Sequence, residues 1–300
     1  MIYIEKIYRS PIHYPGGKHW IVEDLLSYIH NDIDEMVEPF FGGGVVGWNM
    51  AVRDVEVYGY DIDKALVNFW QYWIANSYDV IEVSKGILEV CDKEQLKARH
   101  HHIYNGDIYA AALYFLYTRL SGYGLFGKMS ILRDYAYNKD RGEFVSYIKD
   151  APRSIFDLPN IAPNNYNLSV QHGHFYDVLE THKDMFAFCD PPYIKTEDVY
   201  NDIKPINNGD LYDLLDARDN WILTYGESKL VRSLYENYHI KTILRTSGMR
   251  ARSQKNTIGG RMKIPELIVF SHDIAETVKS QPEQLALFEN NKSYFDLLDI

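Results

Sequence analysis

The sequence is poor in cysteine, in long apolar runs and in repeats. Its two cysteines, Cys91 and Cys189, have neither metal-binding spacing nor the number that a disulfide framework needs. No apolar run approaches the roughly 20 residues that span a bilayer. Residues 1–10 mix charged and apolar side chains and do not have the layout of a signal peptide. We therefore expect a cytoplasmic protein in a reducing environment, with no membrane association.

Metal ligands are also scarce. The triplet His100-His101-His102 has no matching cysteine or acidic cluster, so a solvated helix end is favoured over a metal site. Cys189, which precedes Asp190, is predicted to be a buried strand residue rather than a nucleophile. We expect no metal cofactor.

Positive charge is limited, since the formal net charge is -11. This balance argues against a nucleic-acid partner, because phosphate binding needs positive surface. The charge is uneven, however: the segment from Lys241 to Lys263 contains only basic charged residues and no Asp or Glu. A solvated basic loop is the simplest alternative, but so one-sided a run in an acidic protein favours a polyanion as partner.

Strand-like and helix-like segments alternate along the chain, and 46% of the residues are hydrophobic, enough for a sizeable core. The predicted strands are Met36–Phe40, Val55–Tyr60, Phe186–Cys189, Trp221–Thr224 and Leu267–Ser271, and the predicted helices are Val45–Ala51, Lys64–Asn76 and Asp107–Leu120. Residues 135–163 predict irregular structure or a hairpin that turns at residues 140–142. We expect a discontinuous α/β domain of residues 1–78 and 166–275, an insertion of residues 79–165 and a tail of residues 276–300.

A glycine-rich turn follows the first predicted strand, in Glu38-Pro39-Phe40-Phe41-Gly42-Gly43-Gly44-Val45-Val46-Gly47. Its glycines fit the G-x-G-x-x-G pattern, which lets a ligand approach the backbone and a helix N-terminus, although such turns also occur for structural reasons. Asp61 closes the next strand, where an acidic residue can hold ribose hydroxyls. Glu38 would attract the sulfonium and ammonium groups of S-adenosylmethionine and repel the pyrophosphate of NAD. The pattern favours S-adenosylmethionine as the cofactor.

The tetrapeptide Asp190-Pro191-Pro192-Tyr193 follows another predicted strand. Adenine N6 is a poor nucleophile because its lone pair is delocalised into the ring. A carboxylate and a rigidly held backbone carbonyl can each accept one N6 hydrogen and so aim that lone pair at a methyl group. Tyr193 supplies a ring on which an extruded base can stack. A plain turn after a strand is the structural alternative.

A third motif, His13-Tyr14-Pro15-Gly16-Gly17-Lys18, precedes the first predicted strand. It is not a Walker phosphate loop, because Ile12 and His19 stand where that loop needs Gly and Ser or Thr. Tyr14 can stack on a cofactor adenine and Lys18 can bind a cofactor carboxylate. An ordinary turn before a helix is the alternative.

Taken together and in this order, the three motifs resemble the Dam-like (D12 class) family of N6-adenine DNA methyltransferases. The resemblance runs from about Ser10 to Ser271 and includes residues 118–119, 122–125, 141–144 and 265–267. It implies an α/β, Rossmann-like S-adenosylmethionine-dependent methyltransferase fold with an inserted target-recognition domain. It also implies methylation of adenine N6 in double-stranded DNA, at a specific short sequence, after the base is flipped out of the duplex.

The motifs and the resemblance together give a set of expected site residues. The residues expected to hold the target base are Asp190, Pro191, Pro192 and Tyr193. Those expected to bind the cofactor are Tyr14, Lys18, Glu38, Phe40, Gly42, Gly44, Asp61 and Asp190. Those expected to bind DNA are Lys128, Arg133, Arg250, Arg252 and Lys255.

The chain departs from the family pattern at two positions. His174 stands before Phe175, where many members carry an acidic residue that contacts the cofactor. Gly127 stands two residues after Leu125, where members that read GATC carry an arginine. The sequence therefore does not predict a GATC target.

Three other interpretations remain open at this point. A nicotinamide-dependent oxidoreductase would explain the glycines and Asp61 but not the tetrapeptide that begins at Asp190. A non-catalytic DNA-binding relative is suggested by His174. A methyltransferase acting on RNA or protein would usually carry Asn before Pro-Pro-Tyr.

The segment Gln284-Leu285-Ala286-Leu287-Phe288 resembles the pentapeptide by which bacterial replication proteins bind the sliding clamp. An extended peptide can place Leu285, Leu287 and Phe288 in an apolar groove while Gln284 bonds to the backbone at its edge. Packing of the same side chains against the α/β domain is the alternative. The sliding clamp is thus a hypothetical second partner beside DNA.

Overall fold

A computed structural model of the chain describes residues 6–30, 32–121, 135–138, 143–146, 156, 167–193, 206–246 and 263–280. Its strands are β1 (Glu35–Glu38), β2 (Glu56–Asp61), β3 (Tyr135–Asn138), β4 (Glu143–Ser146), β5 (Leu168–His172), β6 (Phe186–Cys189), β7 (Trp221–Gly226), β8 (His239–Thr246) and β9 (Lys263–Phe270). Its α-helices are α1 (Val22–Tyr28), α2 (Val45–Ala51), α3 (Lys64–Val90), α4 (Lys93–Ala98), α5 (Ile108–Leu120), α6 (Phe175–Thr181), α7 (Asn208–Asp216), α8 (Lys229–Leu234) and α9 (His272–Ser280).

Seven strands form one sheet in the order β5-β2-β1-β6-β7-β9-β8. Neighbouring strands are parallel except for β9, which runs antiparallel to both β7 and β8. The chain builds outward from β1 through β2 to β5, and then returns to the other side of β1 with β6. In such a doubly wound sheet, ligands bind outside the carboxyl ends of the strands at this point of reversal.

The two faces of the sheet carry separate apolar cores, because successive side chains of a strand point to opposite faces. Met36, Phe188 and Ile222 belong to the core that also contains residues of α1, α2, α3, α5 and α9. Val37 and Leu223 belong to the core that contains residues of α6, α7 and α8. The structure is therefore a three-layer α/β/α arrangement, and the predicted fold class is confirmed.

Helix α3 continues beyond its predicted end at Asn76. The backbone of Asn76 leaves the helical region, with φ -162° and ψ 94°, and its side-chain Oδ1 accepts a hydrogen bond from the Tyr78 N–H at 3.1 Å. Asparagine favours this local bond, which caps a new helical segment in the way of an N-cap. The predicted helix therefore ends at Asn76, as the sequence indicates, and a second helical segment, which was not predicted, continues across the kink to Val90.

The predicted strands and the other two predicted helices are present, with ends shifted by a few residues. The predicted hairpin after residue 135 is also present, as β3 paired with β4. Strand β8 was not predicted: it occupies the start of the basic run, where Lys241 donates a 2.6 Å hydrogen bond to the Tyr28 hydroxyl. The His100 triplet lies in a short 3-10 helix, His100–Tyr104.

The domain boundaries stay a prediction. Helix α5 lies within the predicted insertion, yet its residues share one apolar core with those of α1 and α2. Within the described ranges, no helix is both long and apolar enough to cross a membrane.

Candidate active site

The predicted site residues come from three distant parts of the chain and meet at the carboxyl ends of β1, β2, β6 and β7. Lys18 precedes α1, Asp61 ends β2 and Asp190 follows β6. A direct contact between Lys18 and Asp190 joins residues 172 positions apart in the sequence. This is the edge that the sheet topology marks for a ligand.

The glycine turn between β1 and α2 has the conformation that its sequence suggests. Gly42 and Gly44 have φ values of +47° and +60°, which glycine adopts without steric cost. A Cβ atom on Gly42 would lie 2.8 Å from Cε1 of Tyr14, so the absence of a side chain lets the Tyr14 ring approach the turn. The sequence motifs around Tyr14 and Gly42 therefore form one surface.

Asp61 braces the glycine turn from the end of β2. Its Oδ2 accepts the Gly42 N–H at 2.9 Å and its Oδ1 accepts the Asp63 N–H at 3.0 Å. Burial raises the pKa of Asp61 to about 6, although the backbone donors oppose that rise. The carboxylate therefore lies beside the backbone of the glycine turn.

Glu38 is buried at the end of β1. Its Oε2 accepts the Gly47 N–H of α2 at 2.9 Å, so it ties the strand to the helix that follows the turn. Burial raises the pKa of Glu38 well above its usual range, and the negative charges of Asp190 and Asp61 raise it further. Three carboxyl groups at one edge make a site suited to a cationic ligand and unfavourable for a pyrophosphate.

Asp190 is held by two side-chain donors. Lys18 Nζ lies 2.6 Å from Asp190 Oδ2, and the Thr224 hydroxyl donates to Asp190 Oδ1 at 2.7 Å. Lys18 is 3% exposed, and its ammonium also donates to the Gly16 carbonyl oxygen at 2.6 Å. The Asp190 side chain is 18% exposed, so part of it still faces the crevice.

Tyr193 lies in a cluster of ordered contacts beside Asp190. Its ring stacks on Tyr225, with centroids 5.3 Å apart, and Lys18 Nζ lies 5.2 Å from its centroid. A Cβ atom on Gly226 would lie 2.9 Å from the ring, so the glycine at the end of β7 leaves room for it. The Tyr193 hydroxyl donates to Glu266 Oε2 at 3.3 Å.

Glu266 of β9 is a buried acidic residue beside Tyr193 that the sequence motifs did not predict as part of the site. It is 2% exposed, and Arg245 Nε of β8 lies 3.1 Å from its Oε1. Burial raises the pKa of Glu266, while the charges of Lys18 and Arg245 oppose that rise. The contact extends the polar cluster from the tetrapeptide of residues 190–193 to the antiparallel edge of the sheet.

Phe40, an expected cofactor-binding residue, and His174, which departs from the family pattern, both contact residues at the start of α6. The Phe40 ring stacks on Phe175 with centroids 5.4 Å apart. His174 is the N-cap of α6, where its Nδ1 accepts the Tyr176 N–H at 3.4 Å. The histidine that replaces the family's acidic residue thus has a local structural contact at the helix start.

Cys189 is fully buried in β6, as predicted, and burial raises the pKa of its thiol to about 12. A thiol in that state is not a nucleophile near neutral pH. Among the described residues, no three His, Cys, Asp or Glu side chains are grouped so that they could hold a metal ion.

The structure brings the predicted cofactor-binding and base-holding residues to one edge. The predicted DNA-binding residues Lys128, Arg133, Arg250, Arg252 and Lys255 lie outside the described residues, as do Gln284, Leu285, Leu287 and Phe288. Sequence reasoning missed Thr224, Tyr225 and Gly226, which end a strand that it had predicted. The rule that ligands bind at the carboxyl ends of parallel strands was the signal that could have found them.

Sequence comparison relates this chain to known DNA methyltransferases. The model of the D12 class N6 adenine-specific DNA methyltransferase family matches residues 14–249. The chain is 22% identical over 281 residues to the type II methyltransferase M1.LlaDCHI of Lactococcus lactis subsp. cremoris, covering 86% of this chain and 93% of that protein. It is also 22% identical over 200 residues to the type II methyltransferase M.FokI of Planomicrobium okeanokoites, covering 65% of this chain and 30% of that longer protein.

Among solved structures, precorrin 8w decarboxylase of Methanobacterium thermoautotrophicum overlaps 89% of this chain and 99% of its own, with 12% identity and a TM-score of 0.36. That likeness is too distant to bear on fold or function.

The fold is that of a Rossmann-like methyltransferase. The chain belongs to the D12 class N6 adenine-specific DNA methyltransferase family. The predicted family and its adenine-specific DNA methyltransferase activity are confirmed at this level, and the family implies S-adenosylmethionine as methyl donor and DNA as substrate. The oxidoreductase alternative is set aside.

Proposed function

We propose that the protein methylates N6 of adenine at a specific short sequence in double-stranded DNA, and that the target base is flipped into the crevice beside Asp190. The observation that supports this most directly is the anchoring of Asp190 by Lys18 and Thr224, next to the ring of Tyr193. A fixed carboxylate beside an aromatic ring suits an extruded adenine, which needs both a hydrogen-bond acceptor and a stacking surface.

S-adenosylmethionine supplies the methyl group when it is bound. In our proposal, Asp61 and the backbone around Gly42 hold its nucleoside part, with Tyr14 against the same turn. In this scheme a cationic group of the cofactor beside the buried Glu38 carboxyl group would favour the ionised form of Glu38. The donor set fits this cofactor because the edge combines an acidic residue at the end of β2 with further buried carboxyl groups.

Asp190 and the Pro191 carbonyl oxygen accept the two N6 hydrogens of the target adenine. These two bonds would turn the nitrogen lone pair out of conjugation and toward the methyl group. As N6 bonded to the methyl carbon, the carbon–sulfur bond would break, and N6 would release one of its two protons to solvent. Tyr193 stacks on the base and keeps it in the crevice. The rate enhancement then comes from positioning and from fixed dipoles and charges.

The test is methylation of defined DNA in vitro, together with sequencing of methylation marks in DNA from cells that express the protein. We expect N6-methyladenine in one short sequence context, and none with Asp190→Ala. Absence of methyl transfer to any DNA by a folded protein would refute the proposal and would favour a non-catalytic DNA-binding relative.

Sequence choice and DNA affinity can be separated in the same assay. Charge-neutralising substitutions of Arg250, Arg252 and Lys255 are expected to weaken binding to all sequences and to flatten its salt dependence. Substitutions in residues 122–133, which resemble the family's recognition loop, are expected to change the target sequence. An unchanged salt dependence would make the basic run an ordinary solvated surface.

The clamp-binding hypothesis has its own test. A peptide of residues 282–290 is titrated against a bacterial sliding clamp, with Leu287→Ala and Phe288→Ala as the control peptide. Binding that the control loses would support a role near replication, whereas no binding at high micromolar clamp would end the idea.

A further inference from the structure

The Asp190 carboxylate receives two donors from different parts of the fold, one on each oxygen. Lys18 approaches from the segment before α1, and Thr224 approaches from the central strand β7. With one donor on each oxygen, rotation of the carboxylate about its last bond would break at least one short contact. The remaining lone pairs of the two oxygens therefore point in fixed directions.

The two donors differ in what else they do. The Lys18 ammonium also donates to the Gly16 carbonyl oxygen and lies 5.2 Å from the centroid of the Tyr193 ring. Its positive charge also lowers the pKa of Glu38 and of Glu266. Its removal would disturb the whole site. Thr224 is neutral and has one hydroxyl hydrogen. Its oxygen lies 2.7 Å from Asp190 Oδ1 and 3.5 Å from the Cys189 carbonyl oxygen, so the much shorter contact assigns the hydrogen to Asp190.

The hydroxyl of Thr224 is unusual for its place in the sheet. Thr224 is 2% exposed, and its neighbours Ile222, Leu223 and Tyr225 are buried in the two apolar cores. Valine has the same shape and suits a buried strand equally well. A hydroxyl in such a place is unfavourable unless it is hydrogen-bonded.

The strand register makes this contact rigid. Leu223 pairs with Cys189 in the parallel β6–β7 ladder, and Thr224 and Asp190 are the next residues along each strand. On its other side, Thr224 pairs with Ile268 of β9. Groups carried by central strands are held more precisely than groups on loops.

We propose that Thr224 is a positioning residue for methyl transfer, which fixes the plane of the Asp190 carboxylate so that it meets the N6 amino group of the target adenine. The inference rests on the proposed role of Asp190 as the acceptor for that amino group. Thr224 contacts neither base nor cofactor in this scheme and acts only through Asp190.

The test compares Thr224→Val, Thr224→Ser and the wild-type protein in steady-state methylation of the cognate DNA. Valine removes the hydroxyl and keeps the shape, and serine keeps the hydroxyl and removes a methyl group. We expect Thr224→Val to lower kcat by about 10- to 100-fold, the loss that follows from one hydrogen bond to a charged group. KM for DNA and for S-adenosylmethionine should change by less than about 3-fold, and Thr224→Ser should restore most of kcat.

Thr118→Val is the matched control, because Thr118 is also fully buried and its hydroxyl donates to the Phe115 carbonyl of its own helix at 2.8 Å. It reports what loss of a buried threonine hydroxyl does without a contact to Asp190. Thermal melting of all three variants shows whether they are folded.

Three results would overturn the inference: a folded Thr224→Val protein with wild-type kcat, a loss confined to KM, or a Thr224→Ser protein as impaired as Thr224→Val. Each of these leaves the proposed function intact, because the wild-type protein and the Asp190→Ala variant test that separately. A wild-type protein without methyl transfer would refute both.

Discussion

Two acidic side chains on either side of β1 show how one sheet edge serves two purposes. Asp61, at the end of β2, accepts from the backbone N–H groups of Gly42, Ile62 and Asp63. Asp190, after β6, accepts from the side chains of Lys18 and Thr224. On the β2 side, Asp61 contacts the main chain, so the arrangement there depends mainly on backbone conformation. On the β6 side, Asp190 contacts specific side chains, so the arrangement there depends on the identity of those residues.

We call the residues around Asp61 the β2 half of the site and those around Asp190 the β6 half. Substitutions in the two halves should affect different steps of the reaction. Loss of a group in the β2 half should weaken cofactor binding, and loss of a group in the β6 half should slow the chemical step. The predictions that follow test this division, beginning with the largest effect.

Asp190→Ala is expected to lower the rate of methyl transfer by about 1,000-fold or more, because it removes the acceptor that orients N6. Calorimetry should show affinity for S-adenosylmethionine within a few-fold of wild type. Substantial activity in the variant would remove Asp190 from the mechanism, and a comparable loss of cofactor affinity would break the division between the halves.

Asp61→Asn is expected to show the opposite pattern, with cofactor affinity weakened by about 10- to 100-fold and kcat at saturating cofactor changed much less. Asparagine replaces one of the two carboxylate oxygens with an NH2 group, so the N–H of either Gly42 or Asp63 loses its acceptor. Asp63→Asn is the neighbouring control, because Asp63 caps α3 by accepting from the Ala65 N–H at 2.9 Å. That control should have near-normal cofactor affinity.

The pH dependence of stability is expected to show that folding raises the pKa of Asp61. Its pKa is about 6 in the folded protein and 3.8 ordinarily, so the folded state binds the proton more tightly. Its contribution to stability is therefore complete below about pH 4 and is lost as the pH rises through about 6, at most about 3 kcal/mol. The free energy of unfolding of wild type minus that of Asp61→Asn, measured from pH 4 to pH 7, should fall by up to this amount. A flat difference would contradict the raised pKa.

Gly226→Ala is expected to lower kcat by about 10-fold, because its Cβ would lie 2.9 Å from the Tyr193 ring and push it from its place on Tyr225. Gly86→Ala is the control: no atom lies within 4 Å of the added Cβ, in an exposed position of helix α3. It should leave activity unchanged and stabilise the protein by about 0.5–1 kcal/mol. Equal activity of the two variants would show that the Tyr193 position is not critical.

The smallest expected effect is that of Glu266→Gln. The amide oxygen can still accept from the Tyr193 hydroxyl, but the ion pair with Arg245 is lost. We expect a decrease in kcat of only about 2- to 5-fold, since the Arg245 side chain is 32% exposed and water screens its charge. Combining it with Tyr193→Phe tests the contact, and fully additive effects would show that the two residues act independently.

Local sequence alone determined the class of the fold and the core of the site. Glycines followed by helical periodicity indicated the turn at Gly42, and short apolar runs indicated β1, β2, β6 and β7. The tetrapeptide that begins at Asp190 indicated the acceptor, because its chemistry is contained in four consecutive residues. These features can be predicted from the sequence because each depends on residues close together in the chain.

Tertiary structure decided what surrounds those motifs. The chain does not encode locally that Lys18 meets Asp190 across 172 positions, that Thr224 reaches the same carboxylate from β7, or that Glu266 approaches Tyr193 from an antiparallel strand. Those contacts follow from strand order and register, which depend on how whole elements pack on two faces of one sheet. A threonine in a buried strand has the same local pattern whether or not it faces a carboxylate, so only the assembled sheet distinguishes the two cases.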